Sequence, residues 1–200
     1  MRAVLLAVVL AGLVWSGWAP HDRFTWWLEV APVLVVVPLL LATGRRFPLT
    51  PLAYLLIAAH CWVLMVGGHW TYAEVPAGFW VKDALGLARN PYDRLGHVMQ
   101  GFVPAIVARE VLWRTSPLRA SRWLGPLVVS VCLAASACYE LVEWLVAEST
   151  GTAAEAFLGT QGDVWDTQWD MAMAGMGAVL ALLLLSRLHE RQLRRLTAST

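Results

Sequence analysis

Hydrophobic residues are grouped along the chain into six segments with short polar stretches between them. A helix needs roughly 20 mostly apolar residues to cross the hydrocarbon core of a bilayer. Turn-forming residues occupy the stretches between the segments, as in APHDRFT, TGRRFPLTP and RTSPLRASR. The pattern predicts an all-α, polytopic transmembrane bundle in a single domain of residues 1–200. The predicted spans are about 3–18, 26–42, 52–68, 96–112, 125–146 and 168–187.

Composition supports a membrane protein and excludes an ordinary soluble domain. Hydrophobic residues make up 58% of the chain and charged residues 14%, with a mean hydropathy of +0.58. Soluble domains are about a quarter charged. The net charge of +1 gives no reason to expect a nucleic-acid partner, so the lipid bilayer is the predicted partner. The three cysteines lie in apolar segments without a C-x-x-C pair, which indicates reduced, buried thiols.

The first apolar segment looks at first like a cleavable signal peptide. Its best small-x-small site ends at Ala19, but Pro20 follows that site, and Trp15 and Trp18 are bulky near it. Both features disfavour cleavage, so we expect an uncleaved first span.

Arginine is distributed unevenly between the two predicted sides of the membrane. Lys and Arg near the span ends concentrate on the cytoplasmic side of membrane proteins. With the N-terminus inside, ten arginines fall inside, four basic residues fall outside and Arg109 lies within a span. This predicts that both termini are cytoplasmic and that residues 189–200 form a basic cytoplasmic tail. The outer connection, residues 69–92, contains the amphipathic sequence FWVKDALGL, which is predicted to lie along the outer interface.

Three predicted spans carry polar stripes at their outer ends, with the spacing of one helix face. The stripes are Asp93, His97 and Gln100 in the fourth span, Glu140 and Glu143 in the fifth, and Asp163, Asp166 and Asp170 in the sixth. Since all three stripes lie at one depth, we expect them to face each other.

Six carboxylates in these stripes exceed what Arg94 can pair. An ionised carboxylate in hydrocarbon is costly unless it is paired or hydrated, so either some are protonated or a cation lies among them. Oxygen ligands with one imidazole suit Mg²⁺, Mn²⁺ or Ca²⁺, and Zn²⁺ less well. The predicted metal ligands are His97, Glu140, Glu143, Asp166 and Asp170. Other polar residues assigned to the site are His69, Glu74, Asp93, Arg94, Gln100, Tyr139, Gln161, Asp163 and Gln168.

Several of these polar residues also have a purely structural interpretation. Asp163 is a candidate N-cap of the last helix, with Asp166 at the positive end of the helix dipole. Asp93 with Arg94 is also typical of a solvated helix start, and His69 beside Trp70 of an interfacial anchor. Glu110 and Arg114 have the spacing of a structural i, i+4 ion pair.

Four motifs resemble a family of bacterial inner-membrane proteins known as YjdF-like, whose function is undescribed. They are GGHWTYAEVP, YDRLGHVMQGFVPAIVARE, YELVEW and FLGTQGDVWDTQWDM, and they lie within about residues 52–180. The first two spans carry little of the resemblance. A more distant similarity is to VanZ-like membrane proteins, through Asp93, Arg94 and His97, then Glu140 and Glu143, then Asp166, Asp170 and Gly177. The resemblance implies a multi-pass inner-membrane protein with a shared polar site, and it implies no particular chemistry.

Three functions fit these features. The first is an envelope enzyme that uses a divalent metal to hydrolyse or transfer a group on a lipid-linked or phosphorylated amphiphile. The second is a cation- or proton-coupled transporter, although the acidic residues stop halfway across the bundle, apart from Glu110 and His60. The third is a non-catalytic membrane protein whose polar cluster fixes helix packing.

Overall fold

The computed structural model describes residues 1–151 and 155–198. All regular elements in these residues are helical. The α-helices are α1 (Arg2–Gly17), α2 (Arg23–Thr43), α3 (Pro51–Trp70), α4 (Pro76–Leu85), α5 (Tyr92–Thr115), α6 (Leu124–Thr150), α7 (Glu155–Leu158) and α8 (Asp166–Ala198). Two 3₁₀ turns, Tyr72–Glu74 and Pro117–Ala120, flank α4 and α6 on their N-terminal sides.

Four helices of the described chain are long and apolar enough to cross a membrane: α2, α3, α6 and α8. The predicted count of six is therefore matched only in part. Helix α1 is apolar but has 16 residues, and α5 has 24 residues but carries several charged side chains. Helix α1 is too short, and α5 too highly charged, to be counted as a membrane span by length and composition. Both helices nevertheless pack within the bundle.

Helix α5 lies at the centre of the bundle. It packs along α8 over the most extensive interface of the fold, and it also contacts α6, α3 and both 3₁₀ turns. Helix α3 in turn packs against α1 and α2. Because other helices cover α5, its polar side chains face protein rather than lipid, which makes charged residues tolerable there.

Glycines bring α5 and α8 into backbone contact. A Cβ atom on Gly101 of α5 would lie 1.7 Å from the carbonyl oxygen of Ala174. One on Gly177 of α8 would lie 2.0 Å from the carbonyl oxygen of Val98. Small residues at such crossings let helices approach closely. The short distance between the axes sets how near the polar side chains at the starts of both helices can come.

The two ends of the bundle differ in charge. We call the end where α5 and α8 begin the acidic end, since Asp93, Asp163 and Asp166 lie there. The opposite end, where α5 terminates and α6 begins, is called the basic end, with Arg114, Arg119 and Arg122.

Helix α8 continues far beyond the predicted sixth span. Residues 189–198 were expected to be a tail, yet His189 and Leu193 are fully buried. A single continuous helix carries them along α5, where His189 finds a buried partner in Glu110. Residues 199–200 of the expected tail lie outside the described part of the chain.

Glu110 is the centre of a fully buried network at the basic end. Its carboxylate accepts hydrogen bonds from the backbone N–H and hydroxyl of Thr50, from Arg114 at 3.0 Å and from His189 at 3.1 Å. The predicted i, i+4 pair of Glu110 and Arg114 is confirmed. Because every oxygen of this carboxylate is bonded, the network joins α3, α5 and α8 as a structural lock.

Candidate functional site

The three predicted polar stripes converge at the acidic end. Six of their residues are buried, with 2–9% of their surface exposed: Asp93, His97, Glu140, Glu143, Asp166 and Asp170. The Nδ1 atom of His97 lies 3.9 Å from Glu140, and its Nε2 atom lies 3.6 Å from Asp170. Helices α5, α6 and α8 therefore each contribute side chains to one cluster.

Arg94 holds the start of α8 against α5. Its guanidinium contacts Asp170, bonds to Asp166 at 2.7 Å and bonds to Asp163 at 3.1 Å. Asp163, just before α8, and Asp166 and Asp170 within it thus all pair with Arg94 of the neighbouring helix. Asp163 also accepts a hydrogen bond from the backbone N–H of Trp165, so its carboxylate bonds to the backbone at the start of α8 as well.

Arg89 is a second cation of the cluster that the sequence did not assign to it. Its guanidinium contacts Asp166 and bonds to Asp93 and to the carbonyl oxygen of Gly159, each at 3.0 Å. Arg89 precedes α5 in a non-helical segment, so no helical spacing indicated its direction. Its presence means that two arginines, rather than one, neutralise the aspartates.

The predicted role of Asp166 as a metal ligand stays a prediction, and its observed contacts are with arginines. It contacts both Arg89 and Arg94, and it belongs to neither of the residue groups whose atoms are close enough to share an ion. Both guanidinium groups contact the Oδ1 atom of Asp166, so this carboxylate is an ion-pair partner of two arginines.

His97 is shared by two groups of candidate metal ligands. Asp93, His97 and Asp170 form one group, and His97, Glu140 and Glu143 form the other; within each, ligand atoms lie within 4.8 Å of one another. In the first group both carboxylates are paired with arginine. In the second, the buried Oε1 atom of Glu140 has no hydrogen-bond partner among the described residues. These buried acidic and histidine side chains could hold a metal ion.

A cavity of about 260 Å³ adjoins the second group. His97, Glu143 and Tyr139 line it together with Glu29 and His60. Glu29 comes from α2 and is 5% exposed, so a fourth helix contributes a carboxylate. Sequence reasoning did not include Glu29, although a single acid inside an apolar span is itself a signal of a buried partner or site.

Some of the remaining predicted residues lie at the acidic cluster, and others lie away from it. The Oε1 atom of Gln100 lies 2.9 Å from His97 Nδ1, and the amide of Gln161 bonds to the backbone of Asn90. His69 instead contacts α1, with its Nδ1 atom 3.0 Å from the carbonyl oxygen of Ser16 and its ring stacked on Trp15. Glu74 and Gln168 are exposed. His69 thus follows the interfacial-anchor interpretation, because its helix face is turned toward α1.

The helical fold with its apolar helices and buried polar cluster defines a polytopic integral membrane protein. The chain belongs to the family described as predicted membrane protein (DUF2238), whose model matches residues 1–191. It is 56% identical over 183 residues to the inner membrane protein YjdF of Escherichia coli (strain K12), covering 92% of this chain and 88% of that protein. The predicted YjdF-like family and inner-membrane location are confirmed, and the match includes the first two helices as well.

No solved structure matches the chain. The distant similarity to VanZ-like proteins stays a prediction, since neither the family match nor the relative connects the chain to them.

Proposed function

We propose that this protein is a metal-dependent membrane enzyme that hydrolyses or transfers a group on the polar end of a lipid-linked or phosphorylated amphiphile. The observation that carries the proposal is the Glu140 carboxylate, which is 7% exposed and has an unpartnered oxygen facing a buried histidine. A buried carboxylate oxygen without a hydrogen bond is costly, and a bound cation would remove that cost.

The second ligand group suits a catalytic rather than a closed structural ion. His97, Glu140 and Glu143 supply three protein ligands, which leaves coordination positions for water and substrate. Two carboxylates and an imidazole fit Mg²⁺, Mn²⁺ or Ca²⁺, and also Zn²⁺. Such an ion polarises a phosphoryl or carbonyl oxygen, or lowers the pKa of bound water. Arg89 and Arg94 keep the aspartates engaged elsewhere, which favours Glu140 and Glu143 as ligands.

Glu29 is the candidate general base. It lines the cavity beside His97 and Glu143, and no arginine or lysine of the described chain pairs with it within 4.0 Å. A carboxyl group beside the site that is neither a proposed metal ligand nor paired with a cation would be placed to exchange a proton with water activated by the metal. The cavity of about 260 Å³ is large enough for a head group rather than a whole lipid.

The proposal includes a topology with six spans and both termini in the cytoplasm. Helices α1 and α5 would then cross the membrane inside the bundle, in addition to the four candidate spans. The arginines of the basic end would face the cytoplasm. The acidic end would face outward, where envelope amphiphiles carry their polar groups.

A thermal-shift titration of the detergent-purified protein tests the metal. We expect Mg²⁺, Mn²⁺, Ca²⁺ or Zn²⁺ to raise the melting temperature of the wild type by mass action. Glu140→Gln and Glu143→Gln should remove that shift, whereas Glu148→Gln, an exposed glutamate on the same helix, should keep it. EDTA should reverse the shift. Equal shifts in wild type and in both site variants would contradict the metal site.

Turnover tests the enzyme. Mixed micelles of phosphatidic acid and a fatty-acyl nitrophenyl ester offer a phosphoryl and a carbonyl group, and released phosphate or nitrophenol is measured. We expect metal-dependent release that Glu29→Gln abolishes while the metal-induced thermal shift is retained. A metal-binding protein without release from either probe would contradict hydrolysis of these two groups.

Cation- or proton-coupled transport is the second candidate, and His60 favours it. This residue of α3 lines the cavity, and its buried Nε2 atom has no partner among the described residues. Against transport, α5 is apolar from residue 101 to residue 108, which separates the two polar clusters by about 12 Å of helix. Cation-dependent flux in proteoliposomes, lost in His60→Ala, would favour this candidate over the enzyme.

A further inference from the structure

A second cavity of about 540 Å³ opens at the basic end, on the far side of the bundle from the metal site. It lies between the end of α5, the 3₁₀ turn before α6, the start of α6 and the later part of α8. Its lining combines Arg109, Arg119 and Arg122 with apolar residues, among them Leu124 and Leu182. A lining of this kind suits a ligand with a charged head and an apolar body.

The charge of this cavity is positive and incompletely compensated. Glu190 is its acidic lining residue and bonds to both Arg109 and Arg194. Neither Arg119 nor Arg122 forms an ion pair with a carboxylate of the described chain. Three arginines against one glutamate leave the cavity able to accept an anion.

Two features hold this positive charge in place. Arg119 lies over the ring of Trp113, with its guanidinium carbon 4.1 Å from the ring centroid, which fixes its direction without neutralising it. Arg109 is 6% exposed, and its Nη1 atom lies 3.2 Å from His189. Because His189 also bonds to Glu110, the Glu110 network holds the Arg109 guanidinium in position. Leu124 and Gly125, the first residues of α6, also line the cavity and bring the positive end of that helix dipole to it.

We propose that this cavity binds the phosphate of an anionic phospholipid, with the acyl chains lying along the exposed apolar faces of α6 and α8. Leu127 and Val131 of α6 and Leu183 of α8 are exposed on those faces. Trp123, 60% exposed at the start of α6, has the place and chemistry of an interfacial anchor at the same level. A lipid phosphate combines the anion that the arginines require with the apolar body that these faces accept.

The test measures lipid binding to the full chain in nanodiscs or detergent by thermal shift and native mass spectrometry. We expect phosphatidylglycerol or cardiolipin to stabilise the wild type and phosphatidylcholine to have no such effect. Each arginine near a lipid phosphate contributes about a fivefold change in affinity, so the Arg119→Gln, Arg122→Gln double variant should bind about 30-fold more weakly. Both arginines are exposed, so the double variant should still fold.

The matched control is Arg46→Gln, which removes an exposed arginine from the same end of the bundle but outside this cavity. It should bind anionic lipid as the wild type does. Equal loss in the control, or no loss in the double variant, would overturn the site. Stabilisation by inorganic phosphate that matches the effect of anionic lipid would overturn the lipid and leave a site for free anions. None of these results depends on whether a metal binds at the acidic end.

Discussion

Two buried glutamates of this protein differ in the hydrogen-bond partners of their carboxylates. Glu110 accepts hydrogen bonds from Thr50, Arg114 and His189, and it is fully buried among them. Glu140 is almost as buried, yet its Oε1 atom has no hydrogen-bond partner in the described chain. A satisfied carboxylate stabilises the fold, whereas an unsatisfied one indicates a ligand. The difference is consistent with a structural role for Glu110 and with the proposed ligand-binding role for Glu140.

Removal of the Glu110 side chain should destabilise the protein strongly. Glu110→Ala leaves Arg114, His189 and the N–H of Thr50 without their buried acceptor, and breaking a buried ion pair in this way costs roughly 3–5 kcal/mol. Thermal or denaturant unfolding in detergent measures the change. The control is Glu148→Ala, which removes an exposed glutamate of α6 and should cost below about 1 kcal/mol. Similar losses in the two variants would mean that the Glu110 network is no structural lock.

Residue spacing predicted the members of the acidic cluster better than their partners. Asp93 with His97 and Asp166 with Asp170 lie on helices, where intervals of three or four residues fix a common face. Arg89 lies in a non-helical segment, and its direction depends on the path of a loop that tertiary contacts determine. The sequence therefore did not predict the ion pair between Arg89 and Asp166. Glu29, in contrast, could have been found from the cost of a lone acid in an apolar span.

At the scale of the helices, the crossing of α5 and α8 brings the site together. Gly101 and Gly177 allow backbone contact at two points of this crossing, one turn or more below His97 and Asp170. Gly177 and Ala174 are the small residues of α8 at these points. The sequence did not predict that His69 faces α1. A single polar residue at a helix end has no second polar residue at helical spacing, so the sequence does not show which face of the helix it shares.

Adding one methyl group at this crossing should separate the two helices. A Cβ on Gly177 would lie 2.0 Å from the carbonyl oxygen of Val98 and 3.0 Å from the backbone nitrogen of Phe102, and backbone atoms cannot move aside without shifting the helix. We expect Gly177→Ala to lower stability by about 1–3 kcal/mol and to weaken the metal-induced thermal shift, since Asp170 and His97 move apart.

Gly125→Ala is the control for that change. The nearest atom to its added Cβ is 4.0 Å away, on the side chain of Leu182, so the variant should be neutral or slightly more stable. Both variants are compared with the wild type by melting temperature and by monodispersity on size exclusion. A Gly177→Ala protein as stable as Gly125→Ala would show that the helices do not need this contact.

At the scale of the whole molecule, charge separates the two ends of the bundle. Hydropathy predicted the membrane helices from sequence, but it could not predict that α8 continues to Ala198 with His189 and Leu193 buried. The burial of these two residues involves the bond from His189 to Glu110 and the packing of α8 along α5. These are contacts between distant parts of the chain, which hydropathy does not predict. The positions of the arginines still give the orientation that the proposed topology requires.

Reporter fusions test that orientation. A fluorescent protein fused after Arg195 should fluoresce, because the proposed topology leaves this end in the cytoplasm, and alkaline phosphatase fused there should be inactive. The matched fusion is made after Leu85, the last residue of α4, and should give the opposite result. Phosphatase activity from the Arg195 fusion would reverse the orientation and place the acidic site on the cytoplasmic side.

Metal content of the purified protein tests the central claim most directly. The protein is purified from cells in detergent without chelator, and its bound metals are measured by mass spectrometry of the elements. Wild type and Glu148→Gln should each carry about one divalent ion per chain, since one atom from each of the three proposed ligands lies within 4.8 Å of the others. Glu140→Gln, which keeps the volume of the side chain and removes its charge, should carry much less. A wild type with no more metal than Glu140→Gln, after incubation with each of the four ions and removal of the excess, would contradict the claim.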